Sequence, residues 1–209
     1  MPLELLPLFP LSVVLFPRTQ LPLHIFEERY KDMIGEAIQE KSEFGVVLAT
    51  DQGVANTGCT AIVANVTQRH ADGRLDILSV GVRRFEILDL DSEKMYLRGT
   101  VDYFNDEETE QPPVEIRERA ISGYRELQAA QEGEPAPDPK WQDPQLSFQL
   151  AQPIGDLSLR QQLLTMRSEA ERMRLLAEFF PKHLDQRRYV NHVREIAPRN
   201  GRGPGIPSD

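Results

Sequence analysis

Cysteine is almost absent. Cys59 is the one thiol in 209 residues, so no intrachain disulfide can form and no cysteine-based zinc site can be assembled within one chain. Long apolar runs are missing as well: none approaches the roughly 20 residues that a membrane-spanning helix needs, and no membrane partner is expected. The N-terminus shows no basic leader followed by an apolar stretch and a small-residue cleavage site, which makes a reducing cytoplasm the expected location. Positive charge is scarce, with 24 Lys and Arg against 33 Asp and Glu and a formal net charge of −9. Acidic side chains dominate residues 1–105 and, more sharply, 106–145, whereas 146–209 carries a mild basic excess spread along helical sequence. Phosphate binding draws its affinity from clustered Lys and Arg, so nucleic acid is not the expected partner.

Catalytic and cofactor signatures are missing too. No GxxxxGK[ST] loop is present to cradle phosphates. Gly45, Gly58, Gly73 and Gly81 fall at turns and strand boundaries and do not form GxGxxG. His24 lies in Leu23-His24-Ile25-Phe26-Glu27, without the second histidine of HExxH, and reads as a half-buried strand residue. His183 and His192 are nine positions apart in helical sequence and point to different faces. Cys59, which His24 or His70 could in principle activate, sits in an apolar strand, where cysteine behaves as a small inert hydrophobe. Asp106, Glu107, Glu108 and Glu110 lack the alternating oxygen ligands and turn glycine of a calcium loop and read as a solvated connector. Arg83 and Arg84 alternate with Phe85 and Ile87 as strand residues do, and Arg84 is expected to brace a carboxylate. No metal, cofactor or catalytic residue is expected.

Short apolar runs bracketed by proline open the chain: Leu6-Pro7-Leu8-Phe9-Pro10-Leu11-Ser12-Val13-Val14-Leu15-Phe16-Pro17, then Leu21-Pro22-Leu23-His24-Ile25-Phe26-Glu27-Glu28-Arg29-Tyr30. Proline lacks a backbone donor and is tolerated at strand ends, edges and bulges. This is therefore two short strands and a bend, feeding a helix whose inward positions are Tyr30, Met33, Ile34, Ala37 and Ile38. Further strands are expected at Phe44–Ala49, Cys59–Val66, Arg74–Val80, Arg84–Leu90 and Met95–Phe104, with His70-Ala71-Asp72-Gly73 as the clearest hairpin turn. Strands at this spacing point to a small barrel or sandwich. An acidic, proline-stopped linker at 106–113 follows. Helical sequence then runs over 114–197, interrupted by a proline-rich surface loop at 132–144, and a disordered tail is expected at 198–209. Helices are expected from Val114, over Leu146–Ala151 and Leu157–Met166, and from a capping box at Ser168–Glu171. Pro181 should kink or restart the last helix, which would continue inward at Leu184, Val190 and Val193. The class is α+β.

The opening run LPLFPLSVVLFP…LPLHIFEERY resembles the start of the Lon N-terminal domain, the substrate-recognition part of ATP-dependent Lon proteases. Gly58-Cys59-Thr60-Ala61-Ile62, Asp72-Gly73-Arg74, Gly81-Val82-Arg83-Arg84-Phe85-Glu86-Ile87, Asp143-Pro144-Gln145-Leu146-Ser147 and Gln161-Gln162-Leu163-Leu164 extend the resemblance over about residues 5–197. It departs at Arg18-Thr19, where a proline-glycine type turn would be expected. The resemblance implies a PUA-like β-barrel over 1–105 followed by an α-helical bundle. With no phosphate loop, and no room for a Ser-Lys peptidase after Ala197, neither ATPase nor protease activity is expected.

The function it implies is non-catalytic recognition of unfolded or extended polypeptide in protein quality control, alongside a protease or as a homo-oligomer. The rivals are an RNA-binding PUA-like module and a small-molecule sensor with a barrel-mouth pocket. Leu23 and Phe26, edged by Glu28, Arg29 and Asp32, are the expected peptide contacts, with Trp141 as a second aromatic anchor. The plainer alternative puts Leu23 and Phe26 in the core and Trp141 against the helices.

Overall fold

The structure, a computed structural model, describes residues 5–107, 110–130 and 138–196, with backbone alone at 187 and 190–196. The expected tail, residues 132–137 of the proline-rich loop and the side chains of Val190 and Val193 lie outside the described residues. Two compact units divide the chain. One comprises Met1–Glu110 with Pro139–Glu169, and the other Gln111–Asp138 with Ala170–Asp209.

The first unit holds strands β1 (Leu6–Leu11), β2 (Gln20–Ile25), β3 (Phe44–Thr50), β4 (Gly53–Arg69), β5 (Leu75–Asp91) and β6 (Arg98–Phe104), and helix α1 (Glu28–Glu40) between β2 and β3. The sheet is mixed: β1 runs parallel to β3, and every other pairing is antiparallel. The strand order is β2-β5-β4-β3-β1-β6, and β5 pairs again with β6, so the sheet closes on itself while, among the described residues, β2 pairs with β5 alone. Helix α1 buries Tyr30, Met33, Ile34 and Ala37, the i, i+3, i+4, i+7 stripe that faces a core. Ile38 is only half-buried. The helix ends at Lys41 in the left-handed conformation, where the Lys41 N–H reaches the Ala37 carbonyl.

Two strands expected on either side of Gly81 are one. β5 continues for 17 residues because Gly81 serves close approach rather than a break. A Cβ there would lie 2.2 Å from the Phe16 carbonyl oxygen. The Gly81 N–H donates to the Thr19 carbonyl and its own carbonyl accepts from the Arg18 N–H, at 2.9 and 2.8 Å. The departure at Arg18-Thr19 is thereby accommodated, with Arg18 itself in the left-handed region at φ 60°. Register shifts at Cys59/Ala61, Val63/Asn65 and Val66/Gln68 bend the β4–β5 ribbon. This lets β5 pair with β2 through Leu75–Val80 and with β6 through Arg84–Asp91. Leu6, Leu8, Val47 and Phe85 fill the centre.

Helices α3 (Leu146–Leu150) and α4 (Leu157–Thr165) belong to this same unit. They are tied to the strands by Arg84, which is 2% exposed. Its guanidinium donates to the Leu164 and Met166 carbonyls and to Asp106, the last at 2.6 Å. It also lies over the Phe104 and Phe148 rings, at 4.6 and 5.4 Å. Arg84 thus braces a carboxylate. The expectation that Asp106 is solvated is corrected, because it binds Arg84, whereas Glu107 is exposed and accepts from Arg167 at 2.9 Å.

The second unit comprises α2 (Val114–Ala129) and nearly all of α5 (Glu169–Ile196). In α2, Ala120, Gly123, Tyr124 and Leu127 are buried, and a Cβ on Gly123 would meet Phe180 Cβ at 2.4 Å. Helix α5 does not restart at Pro181 but runs through it. An interior proline costs about 3 kcal/mol in an isolated helix. Burial of Met173, Leu176, Ala177, Phe180 and Leu184 on both sides of it offsets that cost.

Candidate functional site

Where the first two strands end, the chain leaves a groove of about 480 Å³ between them. Phe9, Leu11, Leu23, Ile25, Phe26 and Tyr30 supply its apolar surface. The floor is fixed: Phe9 and Tyr30 are each 6% exposed, their ring centroids 4.1 Å apart. Burial holds the Tyr30 hydroxyl above the ordinary phenol range, and the neighbouring Arg29 opposes this. The rim is open. Phe26, just past the end of β2, is 60% exposed, and its ring stacks on His24 at 6.0 Å. Glu27 and Arg29 also line the groove and pair with each other at 2.8 Å, and the Arg29 guanidinium lies 4.6 Å from the Tyr30 ring. An apolar surface with one large unburied ring, edged by both charge signs, is suited to an apolar segment whose approach is steered by charge.

The structure brings Leu23, Phe26 and Arg29 together at this groove. Glu28 is exposed in the first turn of α1, where it accepts from Lys31. Asp32 lines a separate depression of about 420 Å³ with Glu36, Glu93, Lys94, Met95 and Tyr96. There Tyr96 and Lys94 donate to Glu36, at 2.8 and 3.3 Å, and hold its carboxyl below the usual range. Trp141 is half-buried on the turn closed by the Asp143 N–H and the Lys140 carbonyl, and it lines neither depression. Cys59 is fully buried, and loss of solvation pushes its thiol far up, the state of a packing residue rather than a nucleophile.

Sequence reasoning missed a polar cluster beside the groove. The pairing of β2 with β5 sets His24 opposite Asp76, and the hairpin turn brings back His70. Asp76 accepts from both imidazoles, at 2.5 and 2.7 Å, and these two bonds, His24 first, hold its carboxyl below the usual range. Only cross-strand register reveals this grouping, because His24 and Asp76 are 52 residues apart.

The model of the ATP-dependent protease La (LON) substrate-binding domain matches residues 5–182. The chain belongs to that family. This Lon-type domain is 29% identical over 146 residues to the Lon protease of Parabacteroides distasonis, covering 66% of this chain and 18% of that protein. It is 30% identical over 104 residues to Lon protease 1 of Hydrogenovibrio crunogenus, covering 46% of this chain and 13% of that protein. The aligned part thus spans less than a fifth of either protease. Among solved structures, a Lon N-terminal domain protein from Xanthomonas campestris superposes with a TM-score of 0.67 at 25% identity, over 84% of this chain and 98% of that one. The N-terminal domain of Mycobacterium avium complex Lon protease gives 0.60 over 86% and 100%; at 16% identity it speaks for the fold alone. The family matched is a substrate-binding domain rather than a catalytic one. Among the described residues, no helix is long and apolar enough to cross a membrane.

Proposed function

We propose that this Lon-type domain recognises unfolded or extended polypeptide by equilibrium binding, without bond chemistry, and that it does so in cytoplasmic protein quality control. The observation that carries the reading is the groove with Phe26 at its rim, in a chain whose family is a substrate-binding one. Phe26 and Leu23 supply apolar contact, and Arg29 and Glu27 steer and orient. Because β2 pairs on one side only among the described residues, its other edge can add main-chain hydrogen bonds to an extended segment, with Pro22 limiting how many. In this reading the closed strands are a PUA-like barrel that holds the groove rigid, and the helices of the second unit form a bundle through which copies of the chain, or a protease, can associate. Glu28, Asp32 and Trp141 act as outlying contacts on longer clients.

The test is fluorescence anisotropy with a labelled unfolded model protein, its folded form and single-stranded RNA, each at two salt concentrations. Selective binding of the unfolded chain, weakened in Phe26→Ala, supports the proposal. Binding of RNA alone, falling steeply with salt, overturns it.

A further inference from the structure

We propose that His24, His70 and Asp76 form a binding site for a first-row divalent cation of the zinc class. Three separate elements deliver the donors: β2 carries His24, the turn after β4 carries His70, and β5 carries Asp76. His24 Nδ1 and His70 Nε2 face the two oxygens of the Asp76 carboxylate, at 2.5 and 2.7 Å. The rings stand edge to face, with centroids 5.7 Å apart. The candidate ligand atoms all lie within 4.8 Å of one another. Zinc bonds nitrogen and carboxylate oxygen at about 2.0–2.2 Å, which sets tetrahedral ligands roughly 3.3 Å apart. The two nitrogen–oxygen spacings are shorter than that, and all three donors lie within 4.8 Å of one another. Rotations of the side chains about their own bonds open the set to ligand spacing. These side chains are free to make them, with exposures of 45%, 23% and 32% for His24, His70 and Asp76.

Two imidazoles and one carboxylate favour zinc and its first-row neighbours over calcium or magnesium, which prefer oxygen. A carboxylate shared between two imidazoles is also a self-sufficient hydrogen-bonded bridge. A cation makes use of the same convergence of three strong ligands. On binding, each ring nitrogen that now donates to Asp76 turns its lone pair to the metal, and its proton moves to the other nitrogen of the same ring. Three protein ligands leave coordination positions for water or an incoming donor. The site also touches the groove, because His24 lines it and stacks on Phe26. The inference stands independently of polypeptide recognition.

The test titrates the chelator-treated full chain with Zn²⁺ by calorimetry and with Co²⁺ by visible absorption. One ion per chain is expected, with His24→Gln, His70→Gln and Asp76→Asn each weakening binding by about tenfold or more, since even loss of an outer-shell partner costs that much. The Co²⁺ absorption should be lost in the same three variants and kept in His183→Gln. Circular dichroism identifies any variant that fails to fold. Absence of saturable binding, or wild-type affinity in folded His24→Gln and His70→Gln, overturns the proposal.

Discussion

Arg84 and Phe26 anchor two aromatic and charged clusters of the same unit, and they differ in whether anything is left to bind. At Arg84, Phe104, Phe148, Asp106 and two carbonyls surround the guanidinium, and Gln145 extends the network from Asp106 to Arg18. The cation is 2% exposed. At Phe26, similar ingredients, an arginine, a glutamate, a histidine and two further aromatic rings, leave the Phe26 ring 60% exposed. The first cluster holds the segment 139–169 to the strands. The second has apolar area still to be buried, as the proposed binding role requires.

The sharpest way to break the contrast is Arg84→Met. It leaves the Asp106 carboxylate and the Leu164 and Met166 carbonyls without their cation, so unfolding by denaturant should show a loss of about 3–5 kcal/mol. Gln145→Ala removes the link between Arg18 and Asp106. It should cost about 1–2 kcal/mol in the same measurement. Phe26→Ala should leave stability within about 0.5 kcal/mol of the parent, while anisotropy shows binding of unfolded polypeptide weakened by about tenfold or more. Glu36→Gln sets the low end. Tyr96 and Lys94 hold the Glu36 carboxyl below its ordinary 4.5. A carboxyl with a lowered folded-state pKa adds stability above its unfolded value and loses it as pH falls through the folded one. The parent should therefore be slightly the more stable in thermal unfolding at neutral pH, and the gap should close on acidification.

Local pattern and long-range pairing were not equally legible in the sequence. Helix α1 could be read from the spacing of Tyr30, Met33, Ile34 and Ala37 because one apolar stripe needs only its own residues. The Phe44–Thr50 strand and the turn at Gly73 were equally local, and Gly73 does adopt positive φ at 84°. The continuity of β5 was hidden, because Gly81 looks like a break until the Phe16 carbonyl is seen against it. Pro181 misled in the same way: its cost is local, but the burial that offsets it lies in tertiary packing. At the candidate site, the proline-bracketed run placed Leu23 and Phe26 near the polar start of α1. Asp32 lies on α1 over the separate depression with Glu36 and Tyr96, and Trp141 sits on the turn at 140–143. His24 meets Asp76 only through β2–β5 register, which no short motif records, and His70 joins them from the hairpin turn.

The decisive experiment on the groove is amide chemical-shift mapping while an extended, apolar, unfolded polypeptide is added. Shifts should be confined to Phe9–Leu11 and Leu23–Tyr30, with quiet amides around Arg84 and loss of the pattern in Phe26→Ala. Shifts centred elsewhere, or a pattern indifferent to Phe26, would rule out polypeptide recognition at this groove.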